Sequence, residues 1–245
     1  MNEHATLGAA LIFIAALMYS AVGHAGASGY LAAMAFLGTA PAVMRPTALI
    51  LNIAVAAIGT VQFVHAGYFR WSLFWPFALG SIPAAYLGGH VTLPGTAYRV
   101  VVGVVLLLSA ARFAITLRAP DEVKRAIPLP LALVIGAVLG FLAGLTGVGG
   151  GIFLSPVLLI GGWANLRTTA ATSVTFILAN SIAGLLAKPA AIEAARTIAP
   201  AWAVAAVVGG LIGSYLGSRK LPSPALRAVL AVVLVAAGVK LVVSY

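Results

Sequence analysis

Between Glu3 and Arg45 the chain carries no Asp, Glu, Lys or Arg, and the same is true between Arg125 and Arg167, each time over a step of 42 positions (45 − 3 and 167 − 125). Each stretch exceeds the ~20 apolar residues that carry a helix across a bilayer, and leaves room for a further, shorter apolar piece. Nothing elsewhere makes up the deficit: 62% of the 245 residues are hydrophobic and 7% charged, where a soluble domain has roughly 25% charged. Soluble enzymes and disordered tails are thereby excluded. Lipid cannot satisfy the edges of an open sheet, so a spanning chain must be helical or form a closed barrel. The long apolar runs lack the strict alternation of a barrel, and the expected fold class is an all-α, polytopic membrane helical bundle.

The net charge of +10 and pI near 10.6 do not indicate a nucleic-acid partner, because the basic residues stand singly between apolar stretches rather than on one patch. They suit loop anchors facing the anionic headgroups of a lipid bilayer. The absence of cysteine removes disulfides, thiolate metal sites and thiol relays from consideration. Ahead of the first apolar run stands Glu3 and no Lys or Arg, so the positive region of a cleavable signal peptide is lacking and the first segment is expected to be retained.

Full-length spans are expected near Leu7–Gly23, Thr47–Val64, Leu73–Val91, Arg99–Leu117, Leu129–Gly147, Thr169–Ala187, Ala199–Gly217 and Leu226–Val243. Two further pieces, Ser28–Gly38 and Ile152–Gly162, are too short to cross unaided and follow glycine-rich breaks, as half-helices or re-entrant segments do. The spacing repeats. Gly23 to Gly38 and Gly147 to Gly162 are both 15 apart; Ala16, Ser20 and Gly23 match Gly140, Gly144 and Gly147; Gly80, Ala84 and Gly88 match Gly209, Gly213 and Gly217. Small residues four apart let helices approach closely where lipid removes the hydrophobic drive. Residues 1–117 and 129–245 thus read as two repeats joined by a loop over 118–128, the one segment with several charges of both signs. If the short pieces turn back, the two sides carry about eight and six basic residues; if they cross, the halves are inverted and the split is about nine to five with the central loop inside. Inversion is the expected arrangement. Trp71, Trp75, Trp163 and Trp202 fall near span ends, where interfacial tryptophans belong.

The stretch Gly144-Leu-Thr-Gly-Val-Gly-Gly-Gly-Ile-Phe-Leu-Ser-Pro156 cannot hold a regular helix, since each interior glycine costs about 1 kcal/mol against alanine and an interior proline about 3. An opened helix in a membrane is tolerated where it is buried in protein or lines a wet cavity. Its freed amides, with the positive end of the next half-helix, suit an anion. The matching place in the first half is Gly23-His-Ala-Gly-Ala-Ser-Gly29. Candidate substrate-binding residues are therefore Gly23, His24, Gly26 and Ser28 on one side, and Thr146, Gly147, Gly149, Gly150, Gly151 and Ser155 on the other. Close packing alone is the competing role for these glycines. No Lys-Ser or Lys-Thr follows them, so they do not form a nucleotide loop.

The glycine stretch, then Arg167 and the Thr-rich start of the next span, with a weaker copy in the first half, resemble the sulfite exporter TauE/SafE family over nearly the whole chain. The first half departs from the second, with His24, Ala25 and Ala27 in place of further glycines and Ala32 where the second half has Pro156. The resemblance implies a small bacterial inner-membrane transporter of sulfur oxyanions or organosulfonates, such as sulfite or sulfoacetate.

Charge placement agrees. Glu3, Asp121, Glu122 and Glu193 lie outside the expected spans or at their ends, which argues against carboxylate-based proton coupling and against a cation site. Arg45 and Arg167 precede the second full span of each half, as cationic guides for an oxyanion or as anchors. Thr169 and Thr172 join the candidates as hydroxyls on a cavity wall, alongside Thr168, Ser173 and Thr175; such hydroxyls also bond their own helix carbonyls. Asn52 and Asn180 suit interhelical bonding, Arg112 suits snorkelling, and Tyr30 follows the first opening. The expected function is secondary transport of a small anion, foremost export of sulfite or a related sulfonate, with proton- or sodium-coupled uptake as the alternative. No metal, cofactor or catalytic group is expected: there is no HExxH, no paired carboxylate and no cysteine. A membrane scaffold would move nothing alone, and a homo-oligomer is compatible with the sequence.

Overall fold

The protein is described by a computed structural model over residues 3–114, 127–195, 199–219 and 224–243; all of the expected loop 118–128 except its last two residues lies outside the described residues. Among the described residues every regular element is a helix: α1 (Glu3–Ala21), α2 (Ala27–Phe36), α3 (Pro41–His65), α4 (Trp71–His90), α5 (Gly95–Ala114), α6 (Leu129–Thr146), α7 (Gly151–Ile160), α8 (Leu166–Leu186), α9 (Ala190–Ala195), α10 (Ala199–Arg219) and α11 (Pro224–Val243). The eight expected spans each coincide with a helix of 18 to 25 residues. By length and composition, α3, α6 and α8 are each apolar enough to cross a bilayer. The two short pieces are α2 and α7, ten residues each, or about 15 Å at the usual rise, half a bilayer core. Both end alike: Gly38 and Gly162 take left-handed φ values of 70° and 68°, and the next amide reaches back to the helix, Thr39 to Met34 O at 2.9 Å and Trp163 to Leu158 O at 3.0 Å.

Small residues decide which helices meet. α4 lies along α6 and α1 along α10, the two most extensive contacts of the bundle. In the first pair Gly136, Gly140 and Gly144 abut the carbonyls of Phe77, Ser81 and Ala85; in the second Gly209, Gly213 and Gly217 abut those of Phe13, Leu17 and Ala21. Side-chain-free surfaces let the backbones touch, replacing the hydrophobic drive that lipid abolishes. Both pairs run parallel, as residue numbers rise together along each contact. The pairs α3 with α8 and α5 with α11 run antiparallel, Gly59 meeting Val174 while Asn52 meets Ser181, and Gly103 meeting Val242 while Gly238 meets Leu107.

These directions define two ends of the bundle. At one, Arg45 near the start of α3 meets Gly89 and Val91 at the end of α4, and Gly147 after α6 packs on Arg45. At the other, Arg167 at the start of α8 meets Tyr68 between α3 and α4, and Gly23 after α1 packs on Ala170. Trp71 sits at the latter end, 65% exposed, as an interfacial anchor would; Trp202 is 6% exposed and packs on Gly8 instead. The side chain of Arg112 lies outside the described residues.

Candidate functional site

α1 closes with the amides of Gly23 and His24 bonded to Ser20 O (3.1 Å) and Tyr19 O (2.9 Å), after which Gly23 and Gly26 adopt φ of 78° and 114°. α6 closes at Gly147, and Gly147, Gly149 and Gly150 take φ of 84°, 80° and 78°. A side chain at such φ costs about 1–2 kcal/mol, so only glycine turns the chain this sharply without strain. Gly26 and Gly150 are the N-caps of α2 and α7, and neither cap has a side-chain hydrogen bond. Among the described residues, the amides of Ala25 to Gly29 and of Gly149 to Ile152 donate no hydrogen bond. Both openings thus present bare N–H groups at the positive end of a half-helix.

The openings converge through side chains. His24 Nε2 lies 3.1 Å from Ser155 Oγ, five residues into α7, and that hydroxyl lies 2.9 Å from Ser173 Oγ on α8. It is also 3.1 Å from Gly151 O. His24 Nδ1 faces Val22 O at 3.2 Å. A carbonyl only accepts, so Nδ1 carries a proton and, in the neutral ring, Nε2 accepts from Ser155. In the cationic ring Nε2 donates and Ser155 turns its proton to Gly151 O. His24, Ser155 and Ser173 are 5%, 2% and 0% exposed.

α8 carries this arrangement along one face. Thr169, Ser173, Ile177 and Ser181 recur every fourth residue, one above another on a helix. Thr169 is buried with no partner for its hydroxyl among the described residues. Ser181 accepts from Asn52 Nδ2 at 3.4 Å, and both lie against Gly149. Ile177 stands between them, its side chain against Gly149 and Gly151. The interior therefore holds two polar clusters, His24/Ser155/Ser173 and Asn52/Ser181, with the Ile177 side chain between them along α8. Unpartnered oxygens of Ser20, Thr47, Asn52 and Asn180 add buried polar capacity on α1, α3 and α8.

Of the remaining expected residues, Thr146 bonds its own helix through Leu142 O (2.7 Å) and accepts from the Val148 amide (3.3 Å), shaping the turn. Ser28 is buried beside the Tyr19 hydroxyl. Thr172 donates to Thr168 O at 2.8 Å and Thr175 to Ala171 O at 2.9 Å, so both are spent on α8 itself. Asn180 donates to Phe176 O of its own helix, whereas Asn52 makes the interhelical bond. The two arginines are not equivalent. Arg45, half-buried, donates to Val91 O at 2.9 Å and to Gly89 O. Arg167, exposed, donates to the Tyr68 hydroxyl with its guanidinium 5.0 Å from that ring's centroid. Among the described residues no three His, Cys, Asp or Glu lie close enough to hold a metal ion.

The sulfite exporter TauE/SafE family model matches residues 8–241. The chain belongs to the TauE/SafE family. A curated relative, the "Probable membrane transporter protein y4hK" of Sinorhizobium fredii, is 44% identical over 245 residues, covering 98% of this chain and 99% of the relative. No solved structure matches. Family and helices together make this a multi-pass membrane protein of a transporter family rather than an enzyme. In this TauE/SafE member the residues that sequence reasoning left aside are Ser181, Ile177, Tyr98 and Lys188. The every-fourth-residue hydroxyls of α8 were the available signal for Ser181; Tyr98, whose hydroxyl bonds Thr146 O at 3.0 Å, gives none in sequence.

Proposed function

We propose that the protein exports a small sulfur oxyanion or organosulfonate across a bacterial inner membrane, binding it between the two glycine openings. The observation that carries this reading is the 3.1 Å contact of His24 with Ser155, which brings the bare amides of one opening to the half-helix of the other. The anion is held by the bare amides between Ala25 and Gly29 and between Gly149 and Ile152, with His24, Ser28, Ser155 and Thr169 along the walls, while Gly23, Gly147 and Thr146 shape the two turns and Thr172 stays bonded to its own helix. Arg45 and Arg167 act as cationic guides, one at each end.

Residues 1–117 and 129–245, joined by 118–128, are read as inverted repeats. Matching lengths of α2 and α7, the mirrored pairs α1–α10 and α4–α6, and the opposite directions of α3 and α8 support this. With the short helices as crossings, each half makes five passes, which inverts the second half. The loop 118–128 then faces the cytoplasm.

An exported anion gains about 2.3 kcal/mol per charge per 100 mV when the inside is negative, so no carboxylate relay is required. In proteoliposomes loaded with sulfite, efflux is expected to rise with an imposed potassium diffusion potential and to ignore a collapsed pH gradient. Flux that tracks the pH gradient and not the voltage favours coupled uptake; absence of flux for sulfite, sulfoacetate and taurine alike sinks the reading. Ile177→Ala removes the apolar side chain between the two polar clusters and should raise basal leak several-fold, with the larger sulfonates gaining most.

Arg167→Ala should raise the half-saturating anion concentration about threefold and leave maximal flux unchanged, because an exposed cation acts through a screened field. The difference should shrink as inert salt is added. A lowered maximum with unchanged affinity would assign Arg167 a structural role with Tyr68.

A further inference from the structure

Beyond the openings, the Arg45 end of the bundle holds a cavity of about 610 Å³. Its walls are chiefly apolar, with Pro41, Pro46, Leu49, Leu93 and Leu185, and two cations, Arg45 and Lys188, face into it. Both cations reach the same turn after α4: Arg45 bonds Gly89 O and Val91 O, and Lys188 bonds Thr92 Oγ1. Val91 and Thr92 are chain neighbours, whose Cα atoms stand about 3.8 Å apart. Two positive heads are thus gathered on one wall. Their hydrogen-bond partners are neutral oxygens, and among the described residues no carboxylate is bonded to either. Three ammonium donors and five guanidinium donors exceed the acceptors provided.

We infer that this cavity is a second binding site, distinct from the openings, for an amphiphilic monoanion: an acidic head between Arg45 and Lys188 and a hydrocarbon body along Leu49, Leu93 and Leu185. Like charges brought together beside an apolar wall repel, and an anionic head offsets both the repulsion and the lost hydration. The volume lies in the ~300–1,000 Å³ range of sites that enclose whole organic ligands, which a bare oxyanion would leave mostly empty. Tyr98 lines the same cavity and bonds Thr146 O at the second opening, and Gly147 packs on Arg45, so the site adjoins the path of the proposed function without sharing its amides. It rests on that reading only for its role in transport, not for binding.

Hexanesulfonate is the probe, titrated calorimetrically into the full chain in nanodiscs of phosphatidylcholine alone. It should bind with Lys188→Gln weakening it about tenfold, the scale of one charge-assisted bond. Ala42→Trp, which fills the cavity and keeps both cations, should abolish binding, while sulfite at equal concentration should not displace the probe. Should Lys188→Gln disturb folding, Ala42→Trp alone decides. Adding phosphatidylglycerol distinguishes the natural source: displacement of the probe identifies a lipid, and no displacement identifies a free solute. Probe binding indifferent to both substitutions, or lost equally to sulfite, overturns the inference. Sulfite flux through wild-type protein in the same discs' lipid, measured separately in liposomes, reports on the openings whatever the cavity does.

Discussion

Gly150→Leu is expected to insert and fold in near-normal yield and to carry no measurable anion flux. Gly150 has φ of 78°, so a leucine costs about 1–2 kcal/mol in backbone strain. That is tolerable in a folded domain, with about 5–15 kcal/mol in hand. Sterically, a Cβ there would lie 3.0 Å from the edge of the Phe176 ring, 3.1 Å from Leu139 O and 3.2 Å from Ala143 Cβ, so the ring edge and α6 must each give by a few tenths of an ångström, far less than the overlap at Gly144. Function has no such slack. Relaxing φ toward negative values rotates the Gly151 and Ile152 amides away from the site, and the leucine body, pressed against Phe176, Leu139 and Ala143, drives that relaxation. Gly162→Ala is the matched control: φ is 68° there, but a Cβ meets nothing within 4 Å, so the backbone cost is similar and transport should persist. Sulfite efflux is compared at equal protein in the membrane. Efflux by Gly150→Leu within a factor of about three of wild type would falsify the role given to these amides, since a charge-assisted bond is worth more than that.

How much of this could be read from the sequence follows from which forces leave a local signature. Helix positions were legible because apolar length is a composition property of the segment itself, and the eight long helices lie where hydropathy puts them. The breaks were legible because only glycine accepts φ near 80° without strain, which turns Gly147, Gly149 and Gly150 into a geometric statement. Pairing across the chain was partly legible: the spacing of Gly140 and Gly144 and of Gly209, Gly213 and Gly217 announces close approach but not the partner, and Gly136, which extends the first stripe, was not singled out. The arginines show the limit. Equal distance from the preceding charge suggested that Arg45 and Arg167 correspond, yet Arg45 is the fifth residue of α3 and Arg167 the second of α8. At roughly 100° per residue, a three-residue offset sends the side chains in different directions, toward the α4 carbonyls in one case and toward Tyr68 in the other. Helical register is set by the caps, Ala40 and Asn165, and a count of charges does not contain it. Ile177 was invisible for a related reason: an isoleucine in an apolar helix acquires meaning only when Gly149 and Gly151 from another helix pack on it.

Gly144→Leu should leave no folded protein to purify, and Gly144→Ala should cost about 3 kcal/mol, the upper part of the range for overpacking a tight site. A Cβ on Gly144 would overlap Ala85 O and come within 2.9 Å of the Gly89 amide, both main-chain atoms of α4. No side chain can step aside, so the helices must separate, and the same shift pulls Gly140 and Gly136 off their carbonyls. Packing rather than hydrophobic expulsion holds helices together in lipid, so a lost contact has no solvent term to replace it. Gly67→Ala isolates the backbone contribution, because φ is 76° there and a Cβ meets nothing within 4 Å; its cost should stay near 1–2 kcal/mol. Thermal unfolding in mild detergent ranks the variants. The counterpart in α10 is Gly213, against Leu17 O, and its alanine variant should cost a similar amount. The α4–α6 and α1–α10 contacts share no helix, so the double variant Gly144→Ala with Gly213→Ala should be additive within about 0.5 kcal/mol. Marked non-additivity would mean that the two parallel pairs move as one body, and that closure of the openings is governed from both sides of the bundle at once.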